Sequence, residues 1–181
     1  MTIRIYPGMI DQSKEYFYHE NDVFVICNGT IKKFEDVSEH PELKKIVDED
    51  LLLNDLLTKY FGDNELIKLK VLAGCRFGGL NFVPDFSKED VSNDSCECIY
   101  RGSCEGENVI CKPMAFKGKQ ISTTEIELLK ELSTNDKNSK IASDLNIPIG
   151  TFNKLKTSIY QKFDIVTKQQ LTKELYLEGL L

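Results

Sequence analysis

A chain of 181 residues with 41% hydrophobic side chains suits one or two small domains and carries enough apolar material for a packed core. Its formal net charge of −6 lies in residues 1–120, where 15 basic side chains face 21 acidic ones, so this part should avoid nucleic acid rather than wrap it. No apolar run approaches the roughly 18–20 residues that cross a bilayer, and the opening Met1-Thr-Ile-Arg-Ile-Tyr-Pro7 lacks a signal-peptide layout, which predicts a cytoplasmic protein without a membrane span.

In chain order, Thr2 to Tyr6 and Asp22 to Cys27 are rich in β-branched and aromatic residues. Asn28-Gly29, followed by Thr30 to Phe34, is a hairpin signal, so a small antiparallel sheet is expected. Pro41 to Tyr60 carries Leu43, Ile46, Val47, Leu51, Leu52, Leu56 and Leu57, and Asn64 to Leu72 continues apolar, which predicts one long or two short helices with a break at Gly62-Asp63. The acidic run Asp48-Glu-Asp50 between leucines reads as a solvated helix face, not a cation site. Arg76 to Phe82 and Pro84 to Ser95 read as loop.

Cys96, Cys98, Cys104 and Cys111 place four thiols within sixteen residues. A cytoplasmic chain rarely uses cysteines this way for disulfides, whereas four thiolates can close a tetrahedron around Zn²⁺ and hold together a loop with little apolar content. Structural zinc is the first expectation. An iron–sulfur cluster takes the same four thiolates, and unligated reduced thiols are the plain alternative. Cys75, beside Gly74, is a fifth candidate that could stand in for Cys96, which sits only two positions from Cys98. Cys27 in an apolar strand reads as a buried residue, and His19 and His40 are too far upstream to join the thiols. The lysine-rich stretch Lys112 to Gln120 reads as a linker, giving an organisation of 1–95, a cysteine-rich loop and linker over 96–120, and a C-terminal unit over 121–181.

In that C-terminal unit Ser122 stands three residues ahead of Glu125, a capping-box pattern, and Ile126, Leu128, Leu129 and Leu132 follow at helical spacing. The polar cluster Ser133 to Asn138 ends this first helix, and Ile141, Ala142 and Leu145 mark a short second one. After the turn Ile147-Pro-Ile-Gly150, a third helix from Thr151 keeps Phe152, Leu155, Ile159 and Phe163 on one face. Thr167 with Gln170 caps a fourth, which carries Leu171, Leu175 and Leu177 and closes before Gly179.

These residues resemble the C-terminal DNA-binding domain of LuxR-type (GerE-like) transcriptional regulators. Ile121-Ser-Thr-Thr-Glu-Ile-Glu-Leu-Leu129 corresponds to the family's opening Leu-Thr-x-Arg-Glu-x-Glu-Val-Leu, with Thr124 in place of the arginine. Ile141-Ala-Ser-Asp-Leu145 matches its scaffold helix, Ile147-Pro-Ile-Gly-Thr-Phe-Asn153 its turn, Ser158-Ile-Tyr-Gln-Lys-Phe163 the end of its third helix, and Gly179-Leu-Leu181 its close. The chain departs from the family at Asn153, where a basic residue is usual, at Leu155, where a histidine is, and at Lys168, where an arginine is. The resemblance covers about a third of the chain. It implies a four-helix helix-turn-helix domain whose third helix enters the major groove of double-stranded DNA, a homodimer with Leu171, Leu175 and Tyr176 of the fourth helix at its interface, and RNA polymerase as a further partner.

The fold expected is therefore α+β: a small N-terminal antiparallel sheet with helices, a cysteine-rich metal loop, and a C-terminal four-helix LuxR-type helix-turn-helix domain. Residues 121–181 hold eight lysines and eight acids, yet Ile149 to Phe163 carries Lys154, Lys156 and Lys162 with no acid, so charge is segregated toward one helix. Asn153, Lys154 and Thr157 are candidates for base edges, and Tyr160, Lys162 and the backbone around Thr151 for phosphates, with Lys156 adding charge. Walker loop, dinucleotide fingerprint, nucleophile elbow and His-Glu-x-x-His pair are all missing from the sequence, so a non-enzymatic DNA-binding regulator is expected. Two alternatives stay open: an iron–sulfur redox sensor acting on the same domain, and a protein-interaction module that uses the same four helices.

Overall fold

The computed structural model describes residues 5–94 and 98–181. The fold is α+β, with a three-stranded antiparallel sheet and seven α-helices among the described residues, and the chain divides into two units, Met1–Pro113 and Met114–Leu181. Among the described residues no helix is long and apolar enough to cross a membrane.

The first unit is built on a meander of β1 (Lys14–His19), β2 (Asp22–Cys27) and β3 (Thr30–Lys33). Cys27 pairs with Thr30 across a two-residue loop in which Asn28 and Gly29 have φ of 49° and 74°, the doubly positive geometry that matches the twist of the flanking strands. The β1–β2 loop repeats it at Glu20 and Asn21, with φ of 46° and 65°. Of the strand expected over Thr2 to Tyr6, residues 2–4 lie outside the described residues, and Ile5 and Tyr6 are not in a strand. The first strand among the described residues is β1, whose alternation is obscured because Glu15 is buried and Tyr18 is exposed.

Three helices follow: α1 (Pro41–Glu49), α2 (Leu51–Phe61) and α3 (Glu65–Phe77). The acidic run is not a continuous helix face, because Asp50 caps α2 by accepting the Leu53 N–H at 3.0 Å. Gly62, at φ 72°, ends α2, and Asn64 caps α3. Arg76 and Phe77, expected in a loop, are helical and buried at the end of α3. Tyr16, Phe34, Leu43, Leu53, Leu57, Leu69, Leu72 and Phe77 fill the core, and Ile110 joins it, so the cysteine-rich stretch is part of this unit rather than of a linker. His40 is buried, stacked on Phe34 with ring centroids 3.9 Å apart, while His19 is exposed.

The second unit begins before the expected boundary. Ala115–Phe116 (β4) and Lys119–Gln120 (β5) form a hairpin, and Met114 and Phe116 are buried in this unit's core, so the stretch read as linker is folded. Lysines alone suggested solvent exposure, but two apolar side chains between them decide the outcome. Then come α4 (Thr123–Ser133), α5 (Asn138–Asp144), α6 (Ile149–Lys162) and α7 (Lys168–Leu177). α4 packs against the other three helices, and α5 packs against α6. The capping box is formed in full, with Ser122 Oγ accepting the Glu125 N–H and the Glu125 carboxylate accepting the Ser122 N–H. The core contains Ile126, Leu129, Leu132, Ile141, Phe152, Ile159, Phe163, Leu171 and Leu175.

Candidate nucleic-acid interface and thiol cluster

α5 and α6 are joined by a turn that fixes their relation. Asn146 takes a left-handed φ of 53°, its N–H bonds Ser143 O at 3.0 Å, and the Ile147 N–H reaches back to Ala142 O at 3.0 Å, which closes the end of α5 in a Schellman arrangement. Pro148 then occupies the N-cap of α6 with no side-chain cap, so the first N–H groups of this helix, at exposed Ile149, Gly150 and Thr151, keep their positive end toward solvent.

Phe152, Ile159 and Phe163 turn inward and leave Asn153, Lys154, Thr157, Ser158 and Gln161 around one shallow surface depression. This face carries no acid. The sequence reading had Asn153, Lys154 and Thr157 there but missed Ser158 and Gln161, which the four-residue steps from Lys154 and Thr157 would have added. Leu155, expected in the core, is 44% exposed. It stands about 60° round the helix from the Phe152–Ile159 line, beyond the narrow stripe that the neighbouring helices cover.

The other candidates are placed differently. Lys162 lies at the edge of the face, with Nζ 2.7 and 2.8 Å from the two oxygens of Glu125, so its charge is matched inside the unit. Burial works against the Glu125 carboxylate, but the Lys162 ammonium and the Ser122 donors outweigh it and hold this group below the usual range. Lys156 stands over the Tyr160 ring at 5.3 Å and Tyr160 is half-buried, which leaves Lys154 as the lysine facing fully outward. Other acids of the unit are also matched: Asp136 pairs with Lys140 and Glu174 with Lys117.

The expected dimer interface is overturned at two of its three residues. Leu171 and Leu175 are wholly buried in the core of their own unit and cannot face a second copy. Tyr176 is half-buried. Apolar spacing on a helix marks its covered side, and here α4 provides the cover.

In the first unit, Cys98, Cys104 and Cys111 are free thiols, and Cys96 lies outside the described residues. The segment holding them is fastened to α3 by the buried Arg76, whose Nε donates to Ile110 O at 2.9 Å and Nη2 to Val109 O at 2.5 Å. Cys75, the preceding residue, is thereby brought toward Cys111. Burial pushes the Cys75 thiol up to about 11, and the nearby thiols of Cys111, Cys98 and Cys104 add to the rise. The Tyr100 N–H donates to Cys98 Sγ at 3.4 Å. As they stand, no three Cys, His, Asp or Glu side chains among the described residues are arranged to enclose an ion. The thiols are gathered rather than closed on a centre, while their number and softness fit zinc.

A second group went unread in the sequence. Glu15, Asp85 and Asp94 are buried, and Asn81 bridges two of them, its N–H donating to Glu15 Oε1 at 2.7 Å and its Nδ2 to Asp94 Oδ1 at 2.6 Å. The Tyr16 N–H donates to Asp85 Oδ2 at 2.6 Å, while Glu15 Oε2 and Asp85 Oδ1 have no hydrogen-bond partner among the described residues. Burial drives Glu15 up to about 9 and Asp94 up to about 7, and Asp85 rises well above the ordinary carboxyl range through burial and repulsion from its two neighbours.

Comparison with known protein families, with curated proteins and with solved structures finds no match to this chain.

Proposed function

We propose that the second unit binds double-stranded DNA, with α6 in the major groove, and that the protein is a non-enzymatic transcription regulator. The observation that carries this reading is the outward face of α6: five polar side chains, no acid, one lysine with no ion pair among the described residues, and an uncapped helix N-terminus beside it on a helix packed against α4 and α5. Phosphate neutralisation supplies most of the affinity for a duplex, so Lys154, Lys156 and the N–H groups around Thr151 would position the helix, while Asn153, Thr157 and their neighbours reach base edges. The LuxR-type resemblance of residues 121–181 points the same way. A dimer that addresses two half-sites would use surfaces other than Leu171 and Leu175.

The test is retention of genomic fragments at low and rising salt by the wild type and by the double variant Lys154→Glu with Lys156→Glu. Loss of retention in the variant, with its helical content intact, is the expected result; unchanged retention would point to a protein partner for these helices.

The first unit is proposed to hold a structural zinc ion through Cys75, Cys98, Cys104 and Cys111. The ion would bind the 98–111 segment to α3, where Arg76 already fastens two carbonyls, and the thiols would be deprotonated by the metal itself. Purified protein should contain about one zinc per chain, the stoichiometry of a single tetrahedral site. Cys75→Ser should lose it and Cys96→Ser should keep it; the reverse pattern would return Cys96 to the ligand set, and a coloured iron-containing protein would replace zinc with a cluster.

A further inference from the structure

α6 carries information about which bases it reads. Residues 114–181 contain no arginine, so the side chain best suited to grip guanine O6 and N7 in a bidentate contact is lacking from this unit, and Lys154 is the only cation in the depression. What the face offers instead are two carboxamides, Asn153 and Gln161. Eight residues apart, they share one side of the helix about 12 Å from each other along its axis, a span of three to four base steps.

Among the described residues neither amide has a hydrogen-bond partner, so each arrives with two donors and an acceptor free. Gln170 of the same unit shows the contrast. Its oxygen accepts the Val166 N–H at 2.9 Å and its nitrogen donates to Glu174 at 2.9 Å, a side chain engaged in holding the fold. Between the two free amides stands Thr157, whose hydroxyl donates to Asn153 O at 2.9 Å. With its hydrogen committed to the backbone, the threonine has its methyl to offer as an apolar contact.

We infer that α6 reads adenine–thymine pairs: Asn153 and Gln161 each hydrogen-bond the N6–N7 edge of an adenine, three to four steps apart, and Thr157 packs on a thymine methyl between them. Lys154 then serves a phosphate. This deepens the duplex-binding proposal and rests on it. An asparagine or glutamine side chain supplies the donor and acceptor that adenine's major-groove edge requires, and no other base presents that pair in the same order.

The experiment is selection of bound sequences from a pool of randomised duplexes by the wild-type protein, Asn153→Ala and Gln161→Ala, with thermal melting to confirm that these exposed substitutions leave the unit folded. The wild type should select adenine at two positions separated as above. Each alanine variant should lose preference at one of them, about ten- to a hundredfold in discrimination, while the other position stays fixed. Duplex binding without sequence preference, guanine or cytosine at the amide-dependent positions, or unchanged selection by both variants would overturn the inference and leave duplex binding standing. Absence of any duplex retention by the wild type would overturn both.

Discussion

The three buried carboxyls of the first unit set its response to pH. Glu15 is raised to about 9 and Asp94 to about 7, so the folded chain holds these protons more tightly than the unfolded one. Their contribution to stability is complete below the ordinary carboxyl range and is lost as pH rises through about 7 for Asp94 and about 9 for Glu15. Denaturant unfolding between about pH 5 and 9 should show the first unit weakening with rising pH, and Glu15→Gln should flatten that slope because an amide has no proton to lose. A slope unchanged in the variant would place the effect elsewhere. Nothing in the residue pattern disclosed this group: Glu15 sits in a strand, and Asp85 and Asp94 in a polar loop, where acids are ordinarily solvated.

Elements were legible where a local device announces them. The capping box at Ser122 and Glu125, the Thr167 cap and the Asn28-Gly29 turn each act within a few residues, and all three are formed. The face an element covers is less legible, as α7 shows. The family resemblance implies an interface there, yet Leu171 and Leu175 are wholly buried within their own unit. Leu171→Ala should therefore destabilise the second unit by about 2–5 kcal/mol in urea unfolding, independent of protein concentration. A loss that grows on dilution would restore the dimer role. α6 shows the same limit from the other side, since Leu155 fits the apolar period but lies beyond the covered stripe. Lys162 fits a phosphate-binding pattern but is matched by Glu125, a partner 37 residues away in sequence.

For the whole molecule, the decisive question was where one unit ends and the next begins. Composition placed a linker over Lys112 to Gln120, but Phe116 is wholly buried against Phe163, their ring centroids 5.1 Å apart, and the contact boundary falls at Pro113. Phe116→Ala should cost the second unit about 3–5 kcal/mol, and a fragment over residues 121–181 should unfold at lower urea than one over 114–181. Equal midpoints would make the hairpin dispensable.

By itself the sequence determined the α+β class, the four helices of the tail with the caps of the first and last, and Asn153, Lys154 and Thr157 on the face of α6, because period and capping are properties of neighbouring residues. Only the tertiary structure decided which of those residues are available: that Lys162 is matched, that Leu171 and Leu175 are enclosed, that Cys75 stands near the thiols of a segment some thirty residues on, and that three carboxyls are buried near one another. Burial and pairing arise between segments distant in the chain, and charge and apolar pattern read along it carry no record of which segment will come to lie opposite.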